Sequence, residues 1–88
     1  MNKILVLTTE GCEACAIAEA NVKNAIKQSD KKIVVCVSDW KEISRDFIRD
    51  NNIKNFPAVI YLIGKTVVNK TYGTYPQAVY LRWIDMYF

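Results

Sequence analysis

Two cysteines at a Cys-x-x-Cys spacing, Cys12 and Cys15, follow a short branched run, Ile4-Leu5-Val6-Leu7, and open a segment, Glu13 to Gln28, with helical periodicity. A strand that turns directly into a helix fixes where such a pair sits. Cys12 falls at the N-terminal end of the helix, where unpaired backbone N–H groups and the helix dipole stabilise a thiolate. Cys15 lies one turn further on, within reach of any sulfur bonded to Cys12. The context points to thiol–disulfide chemistry. Exchange of this kind needs no general base, which suits a chain without histidine.

Length and composition narrow the alternatives. At 88 residues the sequence reads as one domain, residues 1–88, near the lower limit at which a core holds without staples. Apolar residues make up 51% of it, enough for a core, and the charged fraction of 24% is ordinary for a soluble protein. The formal charge is +3, with lysines scattered from Lys3 to Lys70 instead of gathered in a basic block, so nucleic acid is not an expected partner. No apolar run approaches the roughly 20 residues of a membrane span. The apolar stretch after Met1-Asn2-Lys3 ends at Thr8, short of the ~7–15 residues and cleavage site of a secretory signal, so a cytoplasmic setting is expected. In that setting three cysteines argue against a disulfide framework. A Cys-His nucleophile cannot be built, and structural zinc would need four ligands from three cysteines and a carboxylate, so no metal is assigned.

Lys3 to Leu7 reads as a buried strand and Thr8 to Gly11 as a turn. In the helix that follows, Ala14, Ala18, Val22, Ala25 and Ile26 recur on one face, and Ser29-Asp30 ends it. Ile33 to Val37 reads as a second strand covered on both faces, with Cys36 a small core thiol. Ser38-Asp39 is expected to cap a helix through Asn51, with Ile43, Phe47 and Ile48 inward. Phe56-Pro57 introduces a strand, Ala58 to Ile63, joined through Gly64-Lys65 to another, Thr66 to Tyr72, as a hairpin. Gly73-Thr74 interrupts the chain and Pro76 starts a last helix to Phe88. The order is βαβαββα, an α/β chain whose first crossover makes its strands parallel.

Cys12-Glu13-Ala14-Cys15 after the first strand, Pro57 before the third and Gly73 after the fourth carry a resemblance to the thioredoxin superfamily. It covers essentially the whole chain, in a short version that resembles glutaredoxins in size. The resemblance implies a thioredoxin-like fold, a four-stranded mixed sheet flanked by three helices. It implies Cys12 as catalytic nucleophile and Cys15 as resolving cysteine. It also implies a cis Phe56–Pro57 bond beside them, and a substrate groove formed by Gly11, Glu13, Ala14, Phe56, Pro57, Gly73 and Thr74. The redox group would be the Cys12–Cys15 disulfide, with no cofactor bound and glutathione as an alternative reductant. The partners would be a disulfide-containing protein and an upstream reductase, in electron transfer that serves cell redox homeostasis.

Departures from the relatives shape the expected activity. Gly11 precedes Cys12 where thioredoxins carry Trp, and Glu13-Ala14 replaces Gly-Pro. The buried acid that serves the second cysteine in thioredoxins would fall near Val6. The glutaredoxin segments that hold glutathione have no counterpart in Asn55-Phe56-Pro57 and Gly73-Thr74-Tyr75-Pro76, so protein disulfides are the expected substrates. Glu13 opposes a thiolate on Cys12, which favours a reducing couple, nearer thioredoxin's roughly −270 mV than the oxidase end of the range. Glutathione-dependent glutaredoxin activity, an iron–sulfur site shared across a dimer, and a non-catalytic interaction module are the alternatives. Tyr75 and Tyr72 are candidates for the groove wall, with core packing preferred for Tyr72. Apolar residues go more than halfway round the last helix, which leaves a surface for a weak dimer of an otherwise monomeric chain.

Overall fold

Ile4, Leu5, Val6 and Leu7 are all buried, although alternate residues of a strand point to opposite faces. Both faces of strand β1 (Asn2–Thr8) are therefore covered. The computed structural model describes residues Met1–Phe88. β1 is followed by helix α1 (Glu13–Gln28), strand β2 (Ile33–Asp39), a 3-10 turn (Trp40–Glu42), helix α2 (Arg45–Asp50), strands β3 (Ala58–Ile63) and β4 (Thr66–Tyr72), and helix α3 (Gln77–Tyr87). The strands form one mixed sheet in the order β2-β1-β3-β4. β1 runs parallel to β2 and antiparallel to β3, so that Leu5 lies between Cys36 and Ile60. The fold class is the thioredoxin-like α/β arrangement expected from the sequence.

Alternation along β1 and β3 divides the core between the two faces. Ile4, Val6, Val59 and Tyr61 pack with Val22 and Ala25 of α1 and Tyr80 and Ile84 of α3. Leu5, Leu7, Ala58, Ile60 and Leu62 pack on the other side with Ile53, and Ile43, Phe47 and Ile48 cover them. The inward stripe of α1 is Cys15, Ala18, Val22 and Ala25. Ala14, expected on that stripe, is exposed, because the helix starts so that Cys15 points to the sheet.

Two expectations are corrected. β2 is not covered on both faces: it is an edge strand with no fully buried residue, and Cys36 is half-buried, not a core thiol. The cause is topological. Once β3 pairs with the other side of β1, the helices centre on those two strands and leave Val34 and Val37 partly in solvent. The second correction concerns the helix expected from Ser38-Asp39 to Asn51. Ser38 and Asp39 belong to β2, held there by parallel pairing with Leu7 and Thr8. The capping signal of Asp39 is used by the single 3-10 turn, with Lys41 N–H donating to Asp39 Oδ1 at 2.9 Å. Extended backbone at Ile43 then turns its side chain inward, and Ser44 caps the shorter α2.

α2 ends at its C-cap, Asn51. Asn52 takes the left-handed conformation at φ 54°, its N–H bonded to Arg49 O at 3.1 Å, and delivers the next residue, Ile53, to the core. Across the hairpin, Gly64 at φ 62° supplies the positive turn angle. The β3–β4 register then slips, since Tyr61 faces Asn69 and Leu62 faces Val67, which leaves Val68 as the extra residue of a bulge. No helix is long and apolar enough to cross a membrane.

Candidate functional site

β1 delivers the chain at Thr8 to a turn that Gly11 completes at φ 70°, a left-handed angle that glycine adopts without strain. Cys12 follows as the N-cap of α1, extended at φ −103°, and Cys15 N–H donates to its Sγ at 3.1 Å. A sulfur here occupies the position that a serine or aspartate oxygen usually fills, so a free helix donor already points at the atom that would carry thiolate charge. Cys12 and Cys15 are joined as a disulfide with their Cα atoms 5.3 Å apart. The two sulfurs differ in access. Cys12 is half-exposed, whereas Cys15 is only 3% exposed because it belongs to the inward stripe of α1.

Glu13 and Ala14, the residues between them, are exposed, and Glu13 takes part in no ion pair. The Phe56–Pro57 peptide bond is cis, as the resemblance implies, and Pro57 is buried. Pro57 O accepts from Gly73 N–H at 2.9 Å. Gly73, at φ 83°, needs glycine for its backbone angle; a Cβ there would meet no atom within 4 Å, so the space beside it is open. Thr74 Oγ1 donates to Ala14 O at 2.7 Å. These bonds tie the Cys12–Cys15 turn, the proline and the Gly73-Thr74 segment into one neighbourhood, although they come from distant parts of the sequence. Gly11 and Glu13 lie on its exposed rim, and Phe56 is half-buried beside it.

Two further side chains hold the segment after β4. Tyr80 Oη donates to Gly73 O and accepts from Tyr75 N–H, each at 3.3 Å. Asn21 Nδ2 donates to Tyr75 O at 2.9 Å, which anchors the segment to α1. Burial pushes the Tyr80 phenol up from its ordinary value, so it stays a neutral donor. Tyr75 is 37% exposed and sits edge-on to Trp83 at 4.9 Å, while Tyr72 is half-buried with its Oη 3.4 Å from Asn52 O.

Trp40 was not legible as a neighbour of this site, since a helical reading of Ser38 to Asn51 gave its side chain no fixed direction. It stacks on Phe56 with ring centroids 5.9 Å apart and an interplanar angle of 23°. The usable signal was Asp39 at the end of β2: a strand parallel to β1 ends at the same edge of the sheet as the cysteine turn. Tyr80 lies in the apolar last helix, and nothing in its spacing marks its hydroxyl.

No buried polar or charged residue lies in the core, and Val6 is fully buried among apolar side chains. No group of three or more Cys, Asp or Glu side chains is placed to hold a metal ion.

No family model and no curated protein matches the sequence. Solved structures do match. Thioredoxin-2 of the malaria parasite, described as a component of its protein secretion machinery, superposes with a TM-score of 0.79 at 19% identity, over 98% of this chain and 82% of that one. A thioredoxin from Aeropyrum pernix gives 0.77 at 16% identity, over 99% and 75%. The N21Q mutant thioredoxin from Halobacterium salinarum gives 0.80 at 16% identity, over 98% and 74%. The likeness establishes a thioredoxin-like fold for the chain.

Proposed function

We propose that this chain is a thiol–disulfide oxidoreductase that reduces protein disulfides through the Cys12–Cys15 pair. The observation that carries the reading is the asymmetry of the pair: a half-exposed sulfur at the helix N-cap and a buried one a turn behind it. In the reduced protein, Cys12 thiolate attacks one sulfur of the substrate disulfide; a Cys12–substrate disulfide forms and the other substrate sulfur leaves as a thiolate. Cys15 then gives up its proton and attacks Cys12 Sγ. The Cys12–Cys15 disulfide closes, the second substrate thiolate is released, and two electrons have passed to the substrate. An upstream reductase or glutathione returns them.

The groove assigned to the substrate is Gly11, Glu13, Ala14, Phe56, Pro57, Gly73 and Thr74. The backbone of Phe56 is offered to an extended chain, and the open space beside Gly73 admits its backbone. Trapping tests the reading. Cys15→Ser should accumulate a mixed disulfide on Cys12 with a disulfide-bearing protein such as insulin, and Cys12→Ser should reduce nothing. Insulin reduction retained by Cys12→Ser, or no adduct with Cys15→Ser, refutes it.

A further inference from the structure

Beyond the cysteine turn, the 3-10 turn, α2 and the loop that follows α2 line a cavity of about 680 Å³, within the ~300–1,000 Å³ of ligand clefts. Its apolar walls are Trp40, Ile43, Ile48 and Ile53. Its polar lining is cationic: Lys41, Arg45, Arg49 and Lys54, with Asn52 and no carboxylate. Two of these charges are answered locally, since Arg49 pairs with Asp46 at 3.0 Å and Asp50 at 3.3 Å, and Lys41 leans towards Glu10 at 3.9 Å. Arg45 and Lys54 form no ion pair and flank the apolar walls with uncompensated positive charge.

We infer that this cavity docks an acidic segment of the protein whose disulfide is reduced, with an apolar side chain of that segment as its anchor. The inference rests on the disulfide-exchange reading and names the class of partner for it. Continuity carries it: Trp40 lines the cavity and stacks on Phe56, the residue before the cis proline. The stack makes the cavity wall continuous with the residue assigned to pair with an extended substrate. Charge complementarity selects what enters, because Arg45 and Lys54 attract carboxylates and repel a basic segment. Rim charges of this kind act mainly on encounter and selection, so discrimination falls on KM and not on the exchange step.

The binding arm of the test uses the oxidised protein, which performs no exchange, and cysteine-free fluorescent peptides with a central Leu flanked by Glu or by Lys. At low salt the Glu peptide should bind about tenfold tighter than the Lys peptide, and the difference should fade near 0.5 M salt. Arg45→Glu combined with Lys54→Glu should abolish or invert that preference. The same variant should still reduce a small uncharged dialkyl disulfide at the wild-type rate. With cystine-bridged versions of the two peptides, the wild type should show a lower KM for the acidic one and similar kcat. Equal affinities, a preference that survives charge reversal, displacement of the Glu peptide by decanoate at lower concentration than by the unlabelled peptide, or a second copy occluding the cavity in sedimentation would each overturn the inference. Failure of the wild type to reduce the small disulfide, with acidic selectivity intact in the binding arm, strikes the exchange reading alone.

Discussion

Glu13 is the residue whose charge bears most directly on Cys12. It is exposed at the first helical position, where a carboxylate interacts well with the helix dipole and badly with a neighbouring thiolate. Water screens both effects, so each is modest. Glu13→Gln should move the onset of Cys12 alkylation in the reduced protein to slightly lower pH and make the couple slightly more oxidising. Equilibrated with glutathione buffers, the wild type should lie nearer about −270 mV, and a value above about −180 mV contradicts a reducing role. Thr74 has a different task. Its hydroxyl joins the Gly73 segment to the helix turn between the cysteines. Thr74→Val keeps the shape and removes the bond. It should cost about 1 kcal/mol in urea unfolding and raise KM for a protein disulfide more than it alters alkylation of Cys12.

At the scale of elements, α1 and α2 contrast. α1 runs through Glu13–Gln28 with four buried residues, so the cysteine turn rests on a helix fixed to the core. α2 spans only Arg45–Asp50, buries no residue fully, and has a long capping bond, 3.5 Å from Phe47 N–H to Ser44 Oγ. The cavity wall is therefore built on the less firmly held side. Native-state hydrogen exchange should show the amides of α2 opening well below the global free energy, and those of β1 and β3 only near it. Equal protection in α2 and β1 would contradict this. The same contrast separates central from edge strand. Val34→Lys, on the half-solvated β2, should change stability by no more than about 0.5 kcal/mol in urea titration. Ile84→Ala, at the α3 contact with α1 and the sheet, should cost about 2–5 kcal/mol.

For the molecule as a whole, the absence of buried charge removes one source of pH sensitivity and leaves the tyrosines. Burial raises the Tyr61 phenol well above its ordinary value, and Tyr80 in the same direction. A raised phenol pKa in the folded state means that the unfolded chain ionises first. The stabilisation is full below pH about 10 and is lost as pH climbs towards the folded values. Urea midpoints of the oxidised protein should fall above pH 10, and Tyr61→Phe should flatten that fall; an unchanged slope contradicts the assignment. The strands and helices were largely legible because each carries its own period: the branched runs of β1 and β3, the stripe of α1, the Gly64 hairpin. The Cys12–Cys15 pair was legible too, since strand, turn and helix N-terminus are consecutive in sequence and local physics places a sulfur at the cap. Which strand lies at the edge was not, because an apolar run reads alike with one covered face or two; β3 pairing beside β1 decided it and left Cys36 half-exposed. Nor was the shortening of α2, where parallel pairing of Ser38 and Asp39 overrode a sound local cap. Most of the elements and the placing of Cys12 and Cys15 could be read from the chain alone, since they rest on contacts within a few residues. Only the tertiary structure brought Thr74 to Ala14, Tyr80 to Gly73 and Trp40 to Phe56, because those contacts join residues that no local period relates.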